Sequence, residues 1–140
     1  MTEVQMKNFL EGHFYASKKI KALEAERKQL RLSAQGGSIG YEGISSATRQ
    51  NSTERNLVSL ADEEKKIDDE IARLKESQRK VRRTIDLLHD DDLEAVLIFR
   101  YIIHNTEEQT AEKLNYAPRT VQEKIKKAIK KLCAKMCENV

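Results

Sequence analysis

The chain has 140 residues, of which 35% are charged, 5% are aromatic and one is proline, and its net charge is +3. That length holds one domain, or a small domain with a helical extension, and many charges with few aromatics specify an all-α, heavily solvated protein with a lean core. No apolar run is long enough to span a membrane, and residues 1–10 mix Glu, Gln, Lys and Asn where a secretory signal would be apolar, so the expectation is a cytoplasmic protein with no membrane partner.

The first predicted helix covers about Thr2 to Ser33 and is rich in good helix formers. Ala16, Ile20, Leu23 and Leu30 give it one apolar stripe, which Met6, Phe9, Leu10 and Phe14 extend less regularly toward the N-terminus. The pattern breaks from Ala34 to Asn51, where Gly36, Gly37, Gly40 and Gly43 stand among Ser, Gln and Asn. This Gly/Ser-rich stretch, at about 34–52, reads as a flexible loop, with Tyr41 and Ile44 available as a docking arm. It lacks the Gly-Lys-Ser/Thr ending of a phosphate-binding loop.

Ser52 or Thr53 caps the second predicted helix, with Glu54 close behind. Leu57, Leu60, Glu64, Ile67, Ile71, Leu74, Gln78, Val81, Ile85 and Leu88 alternate at spacings of three and four, and only Glu64 and Gln78 break the apolar seam. Such sustained spacing predicts a coiled coil roughly 48 Å long at 1.5 Å per residue. Either the first helix folds back and covers the seam as an antiparallel hairpin, or two chains pair through it as a homo-oligomer. Ionic neighbours such as Glu70–Lys75 and Asp62–Lys66 decorate the outside.

His89-Asp90-Asp91-Asp92 interrupts the heptads and divides the chain into a helical hairpin over 1–88 and a second domain over 89–140. The Asp residues suit a helix start, from which Leu93, Val96, Leu97 and Tyr101 face inward. Adjacent Asp residues there point in different directions, so they and Glu94 read as a cap and not as a metal site. Eight acids between Asp86 and Glu112 face Arg100 alone, a surface unsuited to DNA but suited to a basic partner. His89 and His104 read as ordinary surface or boundary residues.

The final stretch carries the functional signal. Thr106 caps a helix, Glu107 and Glu108 suit its positive end, and Ala111 and Leu114 face inward. Asn115 tolerates the left-handed conformation that stops it, Tyr116-Ala117 turns, and Pro118 fits the first turn of the next helix. Val121, Ile125, Ala128, Ile129 and Leu132 then form a buried stripe. The opposite face holds Arg119, Thr120, Gln122, Glu123, Lys126, Lys127, Lys130 and Lys131. From Ala117 to Val140, seven cations oppose two acids, so the basic charge is concentrated here. This is a helix-turn-helix whose second helix suits a major groove. Arg reaches guanine, Gln pairs with adenine, and Lys neutralises phosphate, so Arg119, Thr120, Gln122, Glu123, Lys126, Lys127 and Lys130 are the candidate DNA-binding residues. Cys133 and Cys137 read as reduced thiols, with no His or Cys nearby to complete a metal site.

From about Leu93 to Cys133 the chain resembles the fourth region of bacterial sigma factors. Arg100-Tyr101, Thr106, Glu108, Ala111, Leu114-Asn115, Thr120-Val121 and Ala128-Lys130-Lys131-Leu132 fall at the positions of that pattern. Gln109, Thr110, Ala117 and Arg119 depart from it, and Thr110, in place of an Ile, weakens the core of the first helix. With the preceding coiled-coil region, the whole is similar to small phage and prophage proteins taken to be sigma-like regulators. The resemblance implies promoter −35 recognition and an activating role, with double-stranded DNA and RNA polymerase as partners. The chain has no Trp and no aromatic cluster of the kind that melts promoters, so it is expected to be an activator or auxiliary factor. Two other readings stay open. One is an adaptor that docks on polymerase or a sigma factor without reading bases. The other is a small-terminase-like packaging protein, in which the DNA-binding module usually comes first. No nucleophile–base pair, carboxylate pair or metal triad stands out, so no enzyme and no cofactor is expected.

Overall fold

A computed structural model of the chain describes residues 1–36 and 46–138. All elements among them are helical: α1 (Glu3–Gly36), α2 (Ser46–Asp86), α3 (Asp91–Leu97), α4 (Glu107–Leu114) and α5 (Pro118–Glu138), with a π-helical turn at Ile98–Ile102 continuing α3. The described chain is thus all-α. Tyr41 and Ile44, and the docking-arm reading with them, lie outside the described residues, as does the side chain of Leu57. Helix α2 begins at Ser46, earlier than the Ser52 or Thr53 start that capping predicts. No glycine or proline stands between Ser46 and Ser52, so nothing in the backbone opposes the extra turn and a half.

The chain forms two compact units. In the unit spanning Lys18–Leu74, Ile20 and Leu23 of α1 bury against Ile67 and Ile71 of α2, with Leu30 and Leu74 packed alongside. Lys19 pairs with Glu70 at 2.7 Å, Arg27 with Asp68 at 2.7 Å and Arg31 with Glu64 at 2.6 Å. The partners descend along α2 as they ascend along α1, so the two helices run antiparallel and close the seam within one chain. These pairs are solvated and each contributes little, under about 1 kcal/mol. They do give Glu64, the first polar interruption of the seam, a partner.

The other unit joins residues 1–17 to 75–140. Its core is built from Met6 and Leu10 of α1, Val81, Ile85 and Leu88 of α2, Leu93, Val96 and Leu97 of α3, and Tyr101 of the π turn. Ala111 of α4 and Val121, Ile125, Ala128, Ile129 and Leu132 of α5 complete it. The first turns of α1 are therefore a structural part of this bundle. Gln78, the second polar interruption of the seam, donates from Nε2 to the His13 carbonyl at 3.1 Å and to Ser17 Oγ at 2.7 Å. A half-buried amide satisfied by one particular backbone position pins the register of two helices.

Between α2 and α3 the chain turns through His89, whose φ of 50° is left-handed. Asp90 then caps α3, its Oδ1 accepting from the Leu93 N–H at 3.2 Å. That hydrogen bond, with Lys131 and Lys127 nearby, holds the Asp90 carboxyl below the usual carboxylate range. The π turn leaves the Ile103 N–H on the Ile98 carbonyl and the Asn105 N–H on the Phe99 carbonyl, both at 2.9 Å. The widened turn ends at His104, left-handed at φ 69°.

His104 is half-buried, a boundary position, and it has a specific partner. Its Nε2 lies 2.8 Å from Nδ1 of His13, and Phe14 sits edge-on to its ring at 5.2 Å between centroids. Burial lowers the pKa of both imidazoles; the nearby His104 ring lowers that of His13 further, and for His104 a backbone hydrogen bond at Tyr101 opposes the lowering while the Arg100 charge adds to it.

Two outcomes follow from this packing. Leu10→Ala is expected to cost about 2–5 kcal/mol in urea unfolding, as for other buried Leu sites, while Val4→Ala at an exposed position stays within about 0.5 kcal/mol. The histidine pair contributes stability that is complete above pH 6.5 and is lost as pH falls through the lowered folded values. Unfolding free energy should therefore drop as pH falls below the ordinary imidazole value of 6.5, and His104→Asn, which tolerates the left-handed backbone, should flatten that limb.

Candidate nucleic-acid interface

Thr106 starts α4 with a reciprocal cap. Its Oγ1 accepts from the Gln109 N–H at 3.1 Å, while its own N–H donates to Gln109 Oε1 at 2.9 Å. Two backbone donors that a helix start leaves orphaned are thereby satisfied. Gln109, which departs from the sigma pattern, thus has its own structural role. So has Thr110: it is fully buried, and its hydroxyl donates to the Thr106 carbonyl at 2.8 Å. The buried oxygen carries no unsatisfied cost.

Helix α4 stops at Asn115, whose φ of 59° and ψ of 41° are left-handed. The Tyr116 N–H bonds the Ala111 carbonyl at 2.9 Å and closes the turn. Pro118 opens α5, where its missing N–H is harmless. Helix α5 packs on both α3 and α4. Val121, Ile125, Ala128, Ile129 and Leu132 bury one face of it, and Lys135 Nζ ties its far end to the Leu88 carbonyl at 3.3 Å.

Burying that stripe turns the candidate side chains outward. Arg119, Gln122, Glu123, Lys126, Lys127 and Lys130 are exposed on one helix, and Thr120 is half-buried at its edge. Three of them are already engaged. Arg119 Nε lies 3.4 Å from Glu123 Oε1, with side chains 89% and 67% exposed, so water screens the pair. Gln122 Nε2 donates to Glu107 Oε2 of α4 at 2.8 Å. Lys124 lies over the Tyr116 ring, 5.1 Å from its centroid, packing the turn against α5.

A groove of about 510 Å³ is lined by Glu11, Phe14, Tyr15, Arg100, Tyr101, His104, Asn105, Thr106, Glu107 and Glu108. Arg100 is spent internally, donating to the Asn105 carbonyl at 3.3 Å and lying over Tyr101. The remaining carboxylates make the groove unsuited to a phosphate backbone. Cys133 is half-buried, which raises its thiol pKa, and Cys137 is exposed; both are free thiols. Among the described residues no three His, Cys, Asp or Glu side chains gather to hold a metal, and no helix is long and apolar enough to cross a membrane.

Sequence reasoning found the stop, the start and both faces of α5. It missed the Glu107–Gln122 bond, the Thr106–Gln109 box and the His13–His104 pair. Only the box has a local signature, a Thr followed three residues later by Gln. Comparison with known proteins finds no protein-family profile, no curated protein and no solved structure that the chain matches.

The left-handed stop yields a direct check on the turn. Asn115→Gly should leave the urea midpoint nearly unchanged or raise it slightly, while Asn115→Val should destabilise the fold by about 1–2 kcal/mol.

Proposed function

We propose that the chain is a sequence-specific DNA-binding transcription regulator, a phage-type activator that places α5 in the major groove of promoter DNA. The observation that carries this reading is the division of α5 into a buried apolar stripe and an exposed face bearing Arg119, Gln122, Lys126, Lys127 and Lys130. The short left-handed turn between α4 and α5 supports reading α5 as the recognition helix of a helix-turn-helix. The sigma-like order of residues from Arg100 to Leu132 supports promoter −35 DNA as the target and RNA polymerase as a further partner. Arg119 and Gln122 contact bases; Thr120, Lys126, Lys127 and Lys130 contact phosphates, and Glu123 tunes the base contacts through Arg119.

A second reading, an adaptor on polymerase or a sigma factor, draws on one specific observation. Both base-reading side chains have acidic partners, Glu123 for Arg119 and Glu107 for Gln122, and those carboxylates repel a phosphate backbone.

Duplex binding as a function of salt separates the two. The regulator reading expects affinity to fall linearly on logarithmic axes, with Lys126→Ala and Lys130→Ala each weakening all duplexes and reducing the slope by about 1. Arg119→Ala and Gln122→Ala should instead relax sequence choice, at about 1–3 kcal/mol for the preferred site. Core polymerase captured without DNA, together with no duplex binding at micromolar protein, would favour the adaptor.

A further inference from the structure

We propose that Glu107 is a positioning residue that makes Gln122 read adenine in preference to guanine. This rests on the DNA-binding reading and adds to it a residue of α4 that touches no base.

The Glu107 carboxylate accepts a hydrogen bond from Gln122 Nε2 at 2.8 Å. A carboxylate has no proton to give, so the amide nitrogen, and not the amide oxygen, must face it. An exposed Gln is otherwise free to turn its amide either way. The backbone of Glu107 is held: it follows directly on Thr106, whose backbone N–H and hydroxyl are both locked to Gln109. The planar amide then turns Oε1 away from Glu107 and leaves Nε2 one further N–H. An outward acceptor beside one donor matches adenine, which offers an N6 donor and an N7 acceptor in the major groove. Guanine offers N7 and O6, both acceptors, so Oε1 would face O6 without a proton between them. Released from Glu107, the amide could rotate and give both of its N–H groups to guanine.

The test uses the full chain and duplexes enriched from a random pool. The reporting position is the one whose preference disappears in Gln122→Ala. There the parent chain should favour adenine over guanine about ten-fold or more. Glu107→Gln, which keeps a carbonyl acceptor, should retain the preference. Glu107→Ala should reduce it to about two-fold or less, and Glu107→Lys, which puts a donor where the acceptor stood, should move it toward guanine. Preferences at other positions should hold, which a general loosening of the fold would not allow. Retention of adenine preference in both Glu107→Ala and Glu107→Lys would overturn the role of Glu107 and leave the DNA-binding reading intact. So would a parent preference for any base other than adenine at that position, or an equal loss at all positions. Failure of the parent chain to select any sequence overturns both.

Discussion

Burial of one face of α5 is the constraint on which the rest depends. Val121, Ile125, Ala128, Ile129 and Leu132 leave water together, and at 100° per residue this leaves their cationic neighbours only the opposite face. Each fully buried aliphatic side chain contributes about 1.5–3 kcal/mol, more than surface repulsion among a few solvated lysines can oppose. A single helix cannot bury a stripe alone, so the other elements are arranged around it. Helices α3 and α4 supply the nearest walls, and α1 and α2 close the core behind them with Met6, Leu10, Val81, Ile85 and Leu88.

The local features of this arrangement were legible in the sequence. Thr106, Asn115 and Pro118 each act through their own backbone, so their types announce a start, a stop and a restart. The α5 stripe was legible for the same reason, since its periodicity is internal to one helix. The long-range features were not. Met6 and Leu10 belong to an irregular stripe, and nothing in their spacing says that they share a core with a helix more than a hundred residues later. His13 and His104 are 91 positions apart, and their meeting depends on the π turn and on a left-handed histidine. Gln122 and Glu107 could be named separately as exposed residues, but their bond depends on how α4 crosses α5.

The polar groups share one pattern. Glu64 and Gln78 interrupt an apolar seam, and Thr110 stands where an apolar residue is expected; each has a partner. An apolar side chain at such a position would stabilise several registers about equally, whereas a polar one is satisfied in few. Such groups therefore select, each within its own unit, one packing of the helices at little net gain in stability. The histidine pair adds a contact whose strength depends on pH, located at the junction of α1 with the segment entering α4.

The central claim is that the exposed face of α5 is the DNA-binding surface. It is tested most directly by mapping amide chemical shifts as the isotope-labelled chain is titrated with a duplex recovered by selection. The account predicts saturable changes concentrated from Arg119 to Lys130, with the Glu11–Tyr15 side of the bundle unmoved. Changes centred on the acidic groove around Tyr15 and Glu108, with α5 silent, would contradict it.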